Sequence, residues 1–569
     1  MSEFKPSIVN IAEICAQKQV LNFILSPGSR SAPLSLALLR HPQLTCRTMV
    51  DERSAAFIAL GLAQQTERPV GLVSTSGTAA LNYYPAVAEA YYQQIPLLIF
   101  TADRPPEWLD QNDGQTVHQR ELFGKHCLGS FELPVDDFHP DARWHVERLI
   151  SEAINLTLWP VPGPVHINVP LREPLYPRKE ITYNREVKII SVASTQKILE
   201  EKIRDELAAA WQTSQKKLVV AGMHQPNPRL AAHLRKLLSD PSAAAVFDVT
   251  ANLHEALELH HADMILGSEH AETLRQLKPD LLVSFGGPVV SKNLKTFLRN
   301  HKPPAHWHIQ PHGDCIDTFQ SLTQIVPVTP EYFFENLLQI LPKGDTSSGK
   351  DYAGAWRRSE VKAANSLRAF LHEAPHCEFT AIHSVLKALP RDSRLQLGNS
   401  GIVRFASFLG LAGTRDVKVN SNRGTSGIDG TVSTAVGAAL ATSNMTTLIT
   451  GDLAFFYDRN ALWHNYLPAN LRIVVINNYG GGIFRILDGA SELPELTQHF
   501  EVEHRLTARN TAADHGLDYM FCDSAQSLAV ALPKFFDPKD QPAIIEIHTD
   551  KTVNRETFLK FKSIMREIS

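Results

Sequence analysis

The chain has 569 residues, 43% hydrophobic and 20% charged, with a formal net charge of −4. That length predicts three or four domains with ample core, and that charge gives no global basic field to draw in nucleic acid. No apolar run reaches a membrane span, and the N-terminus lacks a signal peptide's long apolar core. The six cysteines (15, 46, 127, 315, 377, 522) include no CxxC pair, which fits reduced thiols in a cytoplasmic protein and no disulfide frame or Cys-rich zinc site.

In chain order, residues 1–180 alternate strands with helices. NFIL (22–25) leads into SPGSRS, CRTMV (46–50) into Asp51-Glu52-Arg53, PVGLVS (69–74) into TSGTAALNYYPAVAEAYY, and PLLIF (96–100) into TADRPPE, with PVHINV (164–169) a further strand. Such alternation predicts a parallel, doubly wound α/β sheet. Each polar cluster follows its strand, so Ser29, Arg30, Glu52 and Arg104 are expected on one sheet edge. The Pro-rich, charged stretch 170–188 reads as a linker.

A central α/β unit, 190–340, has strands near KLVVAG, AAVFDV, DLLVSFGG and HWHI. Its Gly286-Gly287 turn could hold a phosphate, without the dinucleotide fingerprint. HEALELHH (254–261) reads as an exposed or capping helical segment. LPKGDTSSGKD (341–351) reads as a second linker. The last unit, 352–569, has strand candidates in RLQLGNS, DVKVNSN, TTLIT, LRIVVI and PAIIEIHT.

The most informative stretch is Gly451–Asn478. Gly-Asp follows the apolar run TTLIT, and Asn-Asn follows LRIVVI. Asp452 and Asn478 therefore fall at the carboxyl ends of strands, where open α/β sheets bind ligands. Gly480 has no Cβ to keep its carbonyl at a distance. Three hard oxygens with room for phosphates and water suit Mg²⁺, with Mn²⁺ an alternative. The spacing resembles the thiamine diphosphate (ThDP) motif, Gly-Asp-Gly leading to Asn-Asn, although Leu453 stands where that motif has Gly. Thiamine chemistry needs a carboxylate beside the pyrimidine ring, and Glu52 is the candidate. A bent coenzyme needs an apolar wedge, and Ile428 in NRGTSGIDG (422–430) offers one, with Ser426 beside it in the cofactor loop.

Eight motifs occur in order: SPGSRSAPL, VDERSAAFIALGLA, TSGTAALNYYPAVAEA, TADRPPE, GNSGIVRFA, SNRGTSGIDG, TGDLAFFYDRNAL and NNYGGGIFRIL. Together they resemble the MenD family of ThDP-dependent SEPHCHC synthases of menaquinone biosynthesis. The resemblance covers the first and third units well and the central unit poorly. It implies three α/β domains of the ThDP-dependent decarboxylase type: pyrimidine-binding, central and diphosphate-binding. It also implies a homodimer or higher oligomer, with the coenzyme between the first domain of one chain and the third of another. The family reaction joins 2-oxoglutarate to isochorismate with loss of carbon dioxide.

The two substrates carry four carboxylates, so a site rich in Arg is expected. Arg30, Arg104, Arg404 and Arg423 lie in or beside loops that follow predicted strands. By resemblance Ser29, Gln115, Lys292 and Ser400 join them, and Ile483 and Phe484 form the apolar wall at the reacting carbon. Some family members carry a second basic residue after the position of Lys292; here it is Asn293.

Competing readings are an acetolactate-synthase-like ThDP enzyme, for which the basic cluster is excessive, and an inactive ThDP-binding regulatory subunit, disfavoured because Glu52, Asp452 and Asn478 are all present. A zinc reading rests on HWHIQPHGDC (306–315), where His306 and His308 share one strand face.

Overall fold

The apolar runs assemble into three wholly parallel sheets in a computed structural model that describes residues 4–177, 180–256, 259–341, 351–411, 416–486 and 489–568. The first sheet holds β1 (Asn22–Leu25), β2 (Thr45–Thr48), β3 (Val70–Ser74), β4 (Leu97–Asp103), β5 (Ser130–Glu132) and β6 (Pro164–Pro170). The second holds β7 (Lys217–Ala221), β8 (Ala243–Phe247), β9 (Leu281–Phe285), β10 (Ala305–Ile309) and β11 (Gln324–Val326). The third holds β12 (Arg394–Leu397), β13 (Lys418–Ser421), β14 (Thr446–Gly451), β15 (Leu471–Asn477), β16 (Asp518–Cys522) and β17 (Ala543–His548).

The first sheet runs β2-β1-β3-β4-β6-β5 and the third β13-β12-β14-β15-β17-β16, the same winding strand for strand. Both reverse direction beside their first strand. The crevices between β1 and β3, and between β12 and β14, are therefore the switch points where doubly wound sheets take ligands. Strands β3, β4, β6 and β15 are buried at every residue, as sheets covered by helices on both faces require. The sequence reading lacked β5, β11 and β16. β5 and β11 are three residues long, and β16 is only partly buried along most of its length, so none of these edge strands presents the long buried apolar run of an interior strand.

One apolar core joins the first and third units. Phe57, Ile58 and Leu60 of the helix Glu52–Thr66 share it with Val432, Ala435 and Val436 of the helix Thr431–Leu440. These helices touch backbone to backbone. A Cβ on Gly61 would sit 2.0 Å from the Thr434 carbonyl oxygen, and one on Gly437 would sit 2.0 Å from that of Ile58.

The helix Tyr352–Glu373 ties the central unit to the third: the Tyr352 hydroxyl donates to the Leu277 carbonyl (2.8 Å), and Trp356 lies fully inside. Glu360 of that helix binds His261, with Nδ1 at 2.7 Å and the His261 N–H at 3.1 Å. Of the expected exposed or capping helical segment 254–261, the described Ala256, Leu259 and His261 are buried, and Glu360 compensates the histidine.

The Gly286-Gly287 turn is closed by backbone. The Gly287 N–H donates to the Met223 carbonyl (2.7 Å), and a Cβ on Gly222 would meet the Gly287 oxygen at 2.0 Å. His306 and His308 share the Ser284 hydroxyl, at 2.7 and 2.9 Å. Among the described residues no group of three or more His, Cys, Asp and Glu could hold a metal ion.

The stretch after β6 runs along the first unit, burying Leu175 and Val187 in its core; most of the expected second linker, 342–350, lies outside the described residues. Among the described residues no helix is long and apolar enough to cross a membrane. Of the six free cysteines only Cys315 is exposed.

Candidate active site

Asp452 is the first residue of the helix Asp452–Tyr457, directly after β14, and is 2% exposed. Its Oδ2 accepts the Asn478 N–H (3.2 Å) and the Gly480 N–H (3.0 Å), and its Oδ1 accepts the Leu453 N–H (2.6 Å). The Gly480 N–H also reaches Asn478 Oδ1 (3.1 Å). The expected pair is therefore one cluster, built because β14 and β15 are neighbours in the third sheet. Gly480 is required there, since a Cβ would lie 2.8 Å from the Glu501 carbonyl oxygen.

Two further groups complete this cluster. Asn478 Nδ2 donates to the Glu378 carboxylate, at the start of the helix Glu378–Ala388. Desolvation, reinforced by the Asp452 charge, pushes the Glu378 carboxyl up to about 7 despite that bond. His504 Nε2 stands 3.3 Å from Asp452 Oδ2, and its Nδ1 accepts the Leu506 N–H (3.1 Å). Among the described residues no Lys or Arg forms an ion pair with Asp452 or Glu378. The Asp452 and Glu378 carboxyl groups and the Asn478 amide oxygen, unpaired with Lys or Arg among the described residues, form a hard-oxygen donor set that suits a divalent cation.

At the neighbouring crevice Ser400 follows β12 with φ 67°, a left-handed conformation uncommon for a non-glycine residue. Gln115 (φ 57°) and Ser426 (φ 65°) share this feature, and such backbone collects at functional sites. Arg404 Nη1 donates to the Ser400 carbonyl. Asn399 organises the cofactor loop: its Nδ2 donates to the Asn422 and Gly427 carbonyls (both 2.7 Å), and its Oδ1 accepts Arg423 Nη1 (3.0 Å). Burial holds the Arg404 guanidinium below its ordinary value. Burial does the same to Arg423, with the Arg404 charge adding to it. Ile428 is 37% exposed at the tip of this loop. Ile483 and Phe484 lie half-buried in the turn Gly482–Ile486, with the Phe484 ring 5.7 Å from that of Phe500.

On the first sheet, Arg104 Nη1 donates to Ser76 Oγ (2.8 Å) and to the Gln115 carbonyl (3.0 Å), and its Nε pairs with Asp113. Arg30 Nη1 donates to the Leu171 carbonyl (3.0 Å). Burial, then the neighbouring Arg104 charge, lowers its pKa. Ser29 Oγ accepts the Tyr176 hydroxyl (2.8 Å). Arg30 and Arg104 thus sit within reach of each other's charge at the β1–β3 crevice, with Ser29 and Gln115 bonded beside them.

Glu52 opens its helix after the cap Asp51, and its charge is felt by the buried Tyr83 phenol, whose pKa burial raises first and Glu52 further. The residues on either side of Glu52 reach the third unit. Arg53 Nη2 donates to the Tyr457 carbonyl (2.8 Å), and Asp51 Oδ2 accepts Asn460 Nδ2 (2.8 Å). Among the described residues no hydrogen bond or ion pair joins Glu52 to Asp452.

Lys292 opens the helix Lys292–Asn300 and is exposed. Lys295, one turn on, is half-buried with its Nζ on the Val289 carbonyl (3.0 Å). Burial, then the charge of Arg423 and more weakly that of Arg404, lowers its pKa. The sequence reading missed Lys295, although a three-residue step on a helix was the available signal. It also missed Glu378 and His504, which carry no motif.

Residues 10–122 match the thiamine pyrophosphate enzyme N-terminal TPP binding domain, and 185–396 match the middle domain of thiamine pyrophosphate enzymes. A protein of Cytophaga hutchinsonii is 43% identical over 565 residues, covering 99% of both chains. Another, of Flavobacterium johnsoniae, is 38% identical and covers 97% of both. A third, of Porphyromonas gingivalis, is 36% identical over 97% of this chain and 95% of its own. All three are named 2-succinyl-5-enolpyruvyl-6-hydroxy-3-cyclohexene-1-carboxylate synthase.

Proposed function

The chain belongs to the 2-succinyl-5-enolpyruvyl-6-hydroxy-3-cyclohexene-1-carboxylate (SEPHCHC) synthase family of thiamine diphosphate enzymes, and from that premise we propose how its residues carry the reaction. It is a transferase that joins 2-oxoglutarate to isochorismate with loss of carbon dioxide, a step of menaquinone biosynthesis. Bound thiamine diphosphate supplies the carbanion chemistry.

The single observation that carries this reading is the Asp452–Asn478–Gly480 cluster at the carboxyl ends of β14 and β15, beside the switch point of the third sheet. In it Asp452, Asn478 and the Gly480 carbonyl would hold Mg²⁺, or Mn²⁺, which would neutralise the charge of the coenzyme's diphosphate. Ser426 and Ile428 cradle the coenzyme. Glu52 hydrogen-bonds the ring nitrogen of the aminopyrimidine and holds or releases the proton there.

Arg30, Arg104, Arg404 and Arg423 meet the substrate carboxylates, with Ser29, Gln115, Ser400 and Lys292 as further donors. A guanidinium fork suits a carboxylate better than a point charge does. Ile483 and Phe484 exclude water from the reacting carbon. The domain roles follow: 1–180 for the pyrimidine, 190–340 as the central unit, 352–569 for the diphosphate. The assembly is a homodimer or a dimer of dimers, Glu52 of one chain serving the metal cluster of another. The free thiols favour the cytoplasm.

The test is turnover with 2-oxoglutarate plus isochorismate against pyruvate alone, with Mg²⁺ and thiamine diphosphate. The first pair should react. An enzyme that consumes only pyruvate would sink the assignment.

A further inference from the structure

Glu89 lies in the helix Tyr84–Gln93 of the first unit, near the end of the motif TSGTAALNYYPAVAEA, has no exposed surface and carries none of the roles assigned above. A buried carboxylate is costly unless its oxygens are bonded. These oxygens are bonded across the chain, to the loop of the third unit that is read as the coenzyme cradle. The Gly424 N–H donates to Oε1 (2.7 Å), and the Thr425 N–H and hydroxyl both donate to Oε2 (2.6 Å each). Gln93 Nε2 also donates to Oε1. Among the described residues no Lys or Arg forms an ion pair with Glu89, so neutral dipoles hold its charge.

The loop is shaped to receive this carboxylate. A Cβ on Gly424 would stand 2.8 Å from the Glu89 carbonyl oxygen and 3.0 Å from Tyr92 Cβ, so only glycine lets the backbone come so close. Two consecutive N–H groups on one carboxylate fix the direction of residues 424–425. Arg423 precedes them, and Ser426, Gly427 and Ile428 follow. On the far side Asn399 holds the Asn422 and Gly427 carbonyls. No core holds the exposed tip at Ile428, so its position is set by these two clamps. The Glu89 charge also favours the ionised Arg423, opposing the burial and the Arg404 charge that disfavour it.

We propose that Glu89 is a positioning residue for the active centre: from the first unit it sets the third unit's 422–430 loop, and so places both the apolar wedge Ile428 and the substrate cation Arg423. The proposal rests on the reading of that loop given under the proposed function. Each first unit would then organise the coenzyme cradle of its own chain while sending Glu52 to the cradle of another.

Two variants test it in the full-length protein. Glu89→Gln keeps the shape but sets an amide donor against the loop's N–H donors. Thr425→Val, at an exposed position, removes one hydroxyl donor and leaves the fold untouched, and Thr425→Ser should restore it. Thiamine diphosphate affinity is read by calorimetry with saturating Mg²⁺, alongside KM for both substrates and the coenzyme-free melting temperature. Glu89→Gln should weaken coenzyme binding and raise the substrate KM roughly 10- to 100-fold. Thr425→Val should show a smaller effect of the same kind, with an unchanged coenzyme-free melting temperature. Wild-type affinity and KM in both variants would overturn the proposal, as would a loss confined to melting temperature. A wild-type chain that fails to bind thiamine diphosphate would instead sink the underlying reading of the site.

Discussion

The side-chain amide of Asn478 donates to the carboxylate of Glu378, exactly one hundred positions earlier in the chain. The Glu378 carboxylate accepts from Nδ2, which leaves Oδ1 to accept the Gly480 N–H. Partners that orient metal ligands are worth roughly 10- to 100-fold in affinity. Glu378→Ala should therefore weaken Mg²⁺ binding by about that factor in a calorimetric titration with the coenzyme present. Glu378→Gln, which keeps an acceptor oxygen, should recover most of it. Equal Mg²⁺ affinity in the Ala variant would remove Glu378 from the metal site.

Glu52→Gln keeps the size of the side chain and its place at the head of the helix, where the cap is Asp51 rather than Glu52. Turnover should fall by roughly 10²- to 10⁴-fold, as for a lost acid–base group, with coenzyme affinity within a few-fold of wild type. An unchanged rate would take Glu52 out of the mechanism.

Arg104 makes a fork of bonds to Ser76 and Gln115 and an ion pair with Asp113. Charged hydrogen bonds contribute ~1.5–3 kcal/mol each. Arg104→Ala should raise the KM of a carboxylate substrate by about 10- to 100-fold, and Arg104→Lys should recover only part, because a point charge lacks the fork. Steady-state kinetics with each substrate varied in turn would identify which one Arg104 meets; no change for either would exclude it.

Asp263 joins the central and third units by accepting the Ser291 hydroxyl (2.5 Å) and the Ser407 hydroxyl (3.1 Å). Burial pushes its carboxyl up to about 6, above the usual carboxylate range. A raised carboxyl favours the protonated folded state. Its contribution is fully present below about pH 4 and is lost as pH rises through about 6, a swing of about 3 kcal/mol. Relative to wild type, Asp263→Asn should therefore gain melting temperature between pH 4 and pH 7. A difference independent of pH would contradict this.

The sequence made some of this site legible and hid the rest for a physical reason. Asp452, Asn478, Ser29, Arg30 and Arg104 each come at or soon after the end of an apolar run, and a parallel sheet gathers such ends on one edge. Glu378 and Glu89 act across long stretches of chain, to Asn478 and to Gly424 and Thr425. Each is a single acid on a helix, and a lone glutamate there reads as a solvated face. Lys295 stands one turn on from Lys292, and helical spacing offers it as a neighbour, but that its charge is felt beside Arg423 and Arg404 depends on the packing of the central unit against the third. The edge strand β5 was missed for want of apolar residues, although it completes the symmetry of the first and third sheets.

The crossing of the helices Glu52–Thr66 and Thr431–Leu440 has an evolutionary consequence. Gly61 lies against Thr434 and Gly437 against Ile58, so both glycines govern one distance, the gap between two axes. A methyl at either position forces the axes apart, and a methyl at the other then finds room already made. The two replacements should show epistasis, the pair costing less than the sum of the singles. A lineage that lost one of these glycines would be released from keeping the second.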